Sequence, residues 1–152
     1  MQFVLGVVTN ASVVKMLEQH LEDMYATSPA ESVHALDLNE LKQNDIRFWT
    51  LWESDRLCGC GAIKRLSSNH GELKSMRVAN YYRQRGMGAK ILHHLQADAA
   101  QIGITRLSLE TGSMGFFLPA RRLYQKFGFV ECAPFGQYRP DPNSVFMTKQ
   151  LS

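Results

Sequence analysis

The stretch Arg83-Gln84-Arg85-Gly86-Met87-Gly88-Ala89 places two glycines and two arginines at the start of a helical pattern, a combination that suits an anion. A strand-like run, Gly71 to Val78, precedes it, and a helix-like run, Ala89 to Gln101, follows. The first N–H groups of a helix have no intrahelical partner, and the helix dipole adds partial positive charge there. Glycines at 86 and 88 leave out the Cβ atoms that would hold a phosphate away from that backbone. The chemistry expected of such a loop is diphosphate binding. A nucleotide-hydrolase P-loop would need Lys-Ser or Lys-Thr after its last glycine, whereas Gly88 is followed by Ala89-Lys90-Ile91. A dinucleotide fold would need a third glycine and a place near the first strand, and this loop follows several strand-like runs.

The elements around the loop are legible from periodicity. Phe3 to Val8 reads as a short buried strand, and Asn10 or Ser12 can cap a helix carrying Val13, Met16, Leu17, His20, Leu21 and Met24 at helical spacing. Thr27 to Asp37 is a loop and Leu38 to Leu41 a short helix. Phe48–Glu53 and Leu57–Leu66 form a hairpin about Ser54-Asp55, and a turn ending at Gly71 leads to a strand from Glu72 to Val78. Gly103 ends the helix after the glycine loop, Arg106 to Glu110 is a strand, and Pro119 starts a helix closed by Gly128. Phe129–Cys132 and Val145–Gln150 close the order, with a Pro/Gly-containing excursion from Pro134 to Asn143 between them. This order implies an α/β (α+β) domain over residues 1–152. Its mixed, mostly antiparallel sheet of six to seven strands has about four flanking helices and one right-handed crossover.

Composition sets outer bounds. With 152 residues, 45% hydrophobic and 20% charged, the chain can bury a full core. A net charge of +3 without a basic run gives no argument for nucleic acid. The apolar stretch at Met1–Val8 is too short for a signal peptide or a membrane span, so a cytoplasmic location without membrane partners is expected. Three cysteines, two of them spaced Cys58-Gly59-Cys60, read as reduced and structural, and no metal site is expected.

The loop resembles the Gln/Arg-x-x-Gly-x-Gly/Ala signature of the GCN5-related N-acetyltransferase (GNAT) superfamily. A second segment, Leu123-Tyr124-Gln125-Lys126-Phe127-Gly128-Phe129, is similar to that family's Leu-Tyr-x-x-x-Gly-Phe motif. Glu72, eleven residues before Arg83, matches the strand glutamate of the histone-type branch. The resemblance covers about Phe48 to Phe129. It implies a V-shaped gap between the fourth and fifth strands that holds acetyl-CoA, the cosubstrate. A bulge near Met76-Arg77-Val78 would free backbone groups for the pantetheine amides, and Arg83, Gln84, Arg85, Gly86, Met87, Gly88 and Ala89 would surround the pyrophosphate. Many relatives carry an asparagine seven residues before the tyrosine, where this chain has Phe117; a backbone contact or the Ser113 hydroxyl, within Thr111 to Ser113, is the expected replacement, or else a slightly different seat for the cofactor.

The implied reaction is transfer of an acetyl group to a primary amine of a small or amino-acid-like acceptor. An alkyl ammonium, with a pKa of about 10.4, must lose a proton, and a departing thiol of pKa about 8.5 leaves better protonated. The resemblance casts Tyr124 as the acid and Glu72 as the base. Strand alternation puts Glu72 on one face with Lys74 and Met76. His70 is a second candidate to share the base's role. Acceptor-side candidates are Tyr25, Ser28, Glu31, His34, Asp37, Trp49, Trp52, Arg121, Phe135, Tyr138 and Arg139, with the loop from Ser28 to His34 as a lid. A protein or peptide acceptor, or an acyl-CoA sensor without catalysis, are the alternatives. Edge strands of such sheets can pair across a two-fold, which makes a homodimer a further expectation.

Overall fold

Asn10 starts the first helix: its Oδ1 accepts from the Ser12 and Val13 N–H groups at 2.9 and 3.4 Å. This cap satisfies donors that α1, Ala11–Thr27, cannot satisfy internally. The computed structural model describes residues 1–30 and 38–151. The strands are β1 (Gln2–Leu5), β2 (Ile46–Glu53), β3 (Arg56–Arg65), β4 (His70–Val78), β5 (Arg106–Gly112), β6 (Val130–Glu131) and β7 (Ser144–Gln150). Two further helices, α2 (Met87–Gln101) and α3 (Leu118–Lys126), complete three α-helices among the described residues.

The strands form a seven-stranded sheet in the order β1-β2-β3-β4-β5-β7-β6. Every neighbouring pair is antiparallel except β4–β5, which α2 connects as the crossover. The mixed sheet is as expected, but the helix count is three rather than about four. The segment read as a short helix at Leu38–Leu41 is instead a 3-10 turn at Glu40–Lys42, with no side-chain cap on Asn39. A three-residue turn forms too few i→i−4 bonds to become an α-helix. The first strand stops at Leu5 rather than Val8, because Gly6 and Val7 take positive φ values of 91° and 62°.

Each sheet face has its own core. On one face Ile91, Leu92 and Leu95 of α2 pack on Ile63, Leu73, Leu107 and Leu109. On the other, Val13 and Leu17 of α1 pack on Phe48, Leu57, Cys60 and Ala62. Each such aliphatic side chain, fully buried, contributes roughly 1.5–3 kcal/mol.

Two irregularities shape the site. The parallel ladder joins His70–Leu73 to Arg106–Leu109 and extends no further, although both strands continue. Beyond Leu73 and Leu109 the strands splay, which is the V-shaped opening expected between the fourth and fifth strands. The β3–β4 register then shifts: Cys60 pairs with Arg77 but Ala62 pairs with Lys74, so β4 carries one extra residue there. Ser75, at φ 57°, marks this bulge, just ahead of Met76-Arg77-Val78. An extra residue reverses alternation downstream. Met76 and Val78 therefore pack with Leu73 on the α2 face, and Met76 does not share the face of Glu72 and Lys74.

Candidate active site

The glycine loop owes its shape to two left-handed residues. Gln84 has φ 62°, and Gly86, the N-cap of α2, sits at φ 77°, ψ 11°. A Cβ at Gly86 would meet nothing within 4 Å, so the backbone there faces open space. Gly88 has a different task. Its Cβ would stand 3.1 Å from Leu123 Cδ2, so the glycine lets the first turn of α2 approach α3.

A cleft of about 660 Å³ runs along this loop. Its walls include Met76, Arg77 and Val78 from β4 and Arg83, Gln84, Gly86, Met87, Gly88 and Ala89 from the loop and α2. Of the loop residues expected here, only Arg85 is missing from the walls: its guanidinium lies 4.7 Å over the Tyr81 ring, which Arg56 approaches at 5.0 Å. Ser113 also lies apart, its hydroxyl donating to the Pro142 carbonyl at 2.7 Å. The Arg77 guanidinium is bound to Asp23 of α1 at 2.7 Å, which leaves its backbone for the cleft.

A smaller cavity of about 110 Å³ continues past the splay. Glu72, Lys74, Glu110 and Tyr138 line it. The Tyr138 hydroxyl donates to Glu72 Oε2 at 2.5 Å, and Lys74 Nζ donates to the same oxygen at 3.1 Å and to the Tyr138 oxygen at 2.9 Å. Burial and the neighbouring Glu72 charge push the Tyr138 phenol far above its ordinary value, so it remains a donor. Glu110 stands across the splay on β5. Burial pushes its carboxyl up to about 7, with the Ser144 hydroxyl and Lys74 opposing and Glu72 and Asp141 adding to the rise.

The two spaces meet at a neck whose walls include His20 and Met24 of α1, Met76 of β4, and Phe117, Ala120 and Tyr124 beside or within α3. Tyr124 is buried, edge-on to Phe129 at 5.8 Å. Burial, with the Glu110 charge adding, pushes its phenol up to about 12 and keeps it protonated at neutral pH. Phe117 fills the wall where the resemblance places an asparagine.

The structure thus brings Glu72, Tyr124, the bulged strand and most of the glycine loop together. It disperses other acceptor-side candidates. Trp49 Nε1 donates to Asp98 of α2 at 2.9 Å, and Trp52 Nε1 donates to Thr50 at 2.7 Å, both outside the cavities. Arg121 donates to the Gly112 and Met114 carbonyls, and His70 bonds Ser108 at 2.7 Å. Glu31, His34, Asp37 and most of the expected lid lie outside the described residues. Two site residues escaped the sequence reading. Glu110 looked like an ordinary strand residue, and only its register opposite the end of the β4–β5 ladder places it at the splay. His20 looked like one more member of the core-facing side of α1.

Residues 13–129 match the model of the acetyltransferase (GNAT) family. The chain belongs to the GNAT acetyltransferase family. It is similar to the uncharacterized N-acetyltransferase YsnE of Bacillus subtilis, 50% identical over 143 residues, covering 94% of this chain and 95% of that one. It is 40% identical over 139 residues to the IAA acetyltransferase of Azospirillum brasilense, covering 91% and 88%. A candidate acyl-CoA N-acyltransferase of Klebsiella pneumoniae, solved by crystallography, superposes with a TM-score of 0.83 at 29% identity, covering 99% of this chain and 97% of that one.

Proposed function

We propose that this GNAT protein transfers the acetyl group of acetyl-CoA directly to the primary amine of a small acceptor. The observation that carries the reading is the pair of adjoining spaces with Tyr124 in both linings, one along the Gly86 loop and the other holding Glu110 and Glu72. The two have the chemistry of a donor and an acceptor site. The N-terminus of α2 offers free N–H groups to a pyrophosphate. The edge of β4 that faces β5 has no ladder partner beyond Leu73, so an amide-bearing pantetheine chain can bond there as an added strand would. The Klebsiella neighbour's acyl-CoA name agrees with that donor.

In this reading Glu110 is the base. A carboxyl with a pKa of about 7 is matched to neutral pH and sits in the cavity where the acceptor ammonium arrives. It takes one proton from the ammonium, directly or through water. The amine nitrogen then bonds to the thioester carbon, the C–S bond breaks, and the nitrogen gives up its second proton as the amide forms; that proton replaces the one Tyr124 gives to sulfur, so the products are an amide and coenzyme A thiol. Tyr124 stands at the neck and donates to the departing sulfur. Glu72 is given a binding task instead of the base's role, because one of its oxygens already accepts from both Lys74 and Tyr138. The small size of the inner cavity favours a compact amine over a protein side chain presented in a groove.

Purified protein, acetyl-CoA and a panel of amines, amino acids and IAA (the Azospirillum relative's named substrate) would test this, with thiol release as readout. At least one small amine is expected to release thiol. In Tyr124→Phe, thiol release should fall at least about tenfold while coenzyme binding persists. Unchanged turnover in that variant would remove Tyr124 from the mechanism.

A further inference from the structure

Amine addition to a thioester moves the carbonyl π electrons onto oxygen, so the site must meet a negative charge that the substrate alone does not have. We propose that His20 donates a hydrogen bond through its imidazole N–H to the thioester carbonyl oxygen and stabilises the oxyanion formed on amine addition. The inference rests on the acetyl-CoA reading above and adds a catalytic residue to it.

Position is the first argument. Among the residues that line both the cofactor cleft and the inner cavity, His20 and Tyr124 alone carry polar side chains; Met24, Met76, Phe117 and Ala120 are apolar. Tyr124 enters from α3 and His20 from α1. With Tyr124 assigned to the sulfur, His20 is the remaining side-chain donor at the neck for the other polar atom of the thioester. Its imidazole makes no hydrogen bond to another described residue, so its N–H is available.

Anchoring is the second. Asp23, three residues on and therefore on the same side of α1, binds Arg77 of β4 at 2.7 Å. Arg77 is itself buried beside the bulge. This ion pair fixes the turn of α1 that carries His20 against the strand that forms the cleft wall.

Protonation is the third. Burial first, then the Arg77 charge, pull the imidazole down to about 4, with Asp23 opposing. At neutral pH His20 is therefore uncharged, and a neutral imidazole still carries one N–H donor. At about 4 it is a far weaker base than Glu110 at about 7, which leaves proton abstraction to Glu110. A neutral histidine with a depressed pKa is a suitable electrophile toward a carbonyl, and a donor already in place loses little to reorganisation.

Three measurements on native protein, His20→Leu and His20→Gln test the proposal: calorimetric affinity for acetyl-CoA, the infrared carbonyl band of bound acetyl-CoA labelled with 13C at the carbonyl, and kcat. The Leu variant is expected to keep affinity within about threefold and lose roughly 100-fold in kcat. Its carbonyl band should move to higher wavenumber than in native protein. The Gln variant, which keeps an N–H donor, should recover about tenfold of the lost rate and part of the band shift. If thermal melting shows His20→Leu unfolded, His20→Phe takes its place. A band at the same position in native and donorless proteins, or a kcat unchanged within about twofold, overturns the role of His20 while leaving acetyl transfer intact. Failure of native protein to bind acetyl-CoA would instead overturn the cofactor reading, and this inference with it.

Discussion

At the scale of single residues, Glu110 makes activity and stability opposing demands. Its carboxyl titrates near 7 in the fold against an ordinary value of 4.5. A raised folded pKa means that the folded chain holds the proton more tightly than the unfolded chain. The stability from that neutral carboxyl is present below about 4.5 and is lost as pH rises through about 7. Glu110→Gln keeps the neutral form at every pH. The variant should therefore melt several degrees higher than native protein at pH 8, a gain of at most about 3 kcal/mol, with little difference at pH 4. The same change removes the proposed base, so thiol release should collapse. In native protein kcat/KM should rise with pH through about 7 and then level off. A variant no more stable at pH 8, or a rate flat from pH 5 to 8, would refute this view of Glu110. The residue was invisible in the sequence because its environment is made by neighbours far along the chain, Lys74 and Ser144 among them. Tyr124 and Gly86, by contrast, belong to contiguous motifs whose local backbone is sufficient to define their place.

At the scale of elements, β4 shows where pattern reading stops. The strand and its glycine-loop exit were legible from periodicity. The bulge was not: the family resemblance placed one near Met76-Arg77-Val78, but nothing in the pattern put it at Ser75, because serine is no turn former of the kind that announces a positive φ. That one residue reverses the facing of Met76, Arg77 and Val78. It sends Arg77 to α1 and Asp23, and Met76 to α2. A second joint, between α2 and β2, is likewise made by residues distant in sequence. Asp98 accepts from Arg47 Nε and one terminal nitrogen, both at 2.8 Å, and from Trp49 Nε1 at 2.9 Å. Burial alone would push the Asp98 carboxyl up, but the Arg47 and Trp49 donors outweigh it and hold it below its ordinary 3.8. A depressed folded pKa contributes stability above the ordinary value and loses it as pH falls below. Asp98→Asn should thus lower stability by about 2 kcal/mol at pH 7, read from the urea midpoint, with the gap narrowing toward pH 3. Equal midpoints at pH 7 would show that packing alone seats α2.

At the scale of the whole molecule, the sheet is two antiparallel parts, β1–β4 and β5–β7, joined by a short parallel ladder and the crossover helix. The order of elements made that architecture readable. The length of the joining ladder was not readable, since strand patterns continue on both sides past the point where pairing ends. The gap leaves backbone groups of β4 beyond Leu73 without a sheet partner, and a ligand bonded there would act as a missing strand. Binding to the folded state alone stabilises by mass action, about 2.7 kcal/mol at a hundredfold excess over Kd, or roughly 5–10 °C for a chain of this size. Coenzyme A should therefore raise the melting temperature by that order and slow amide exchange in β4 beyond Leu73. Gly86→Asp supplies the control. It forces a side chain into a left-handed φ of 77° and sets a carboxylate where the pyrophosphate is expected. The variant should melt slightly lower than native protein, by the equivalent of about 1 kcal/mol, and gain no stability from coenzyme A. Full ligand-induced stabilisation in Gly86→Asp would mean that the coenzyme lies elsewhere. Unchanged exchange in β4, with the melting shift intact, would mean that the ligand is held at the helix end without bridging the two parts of the sheet.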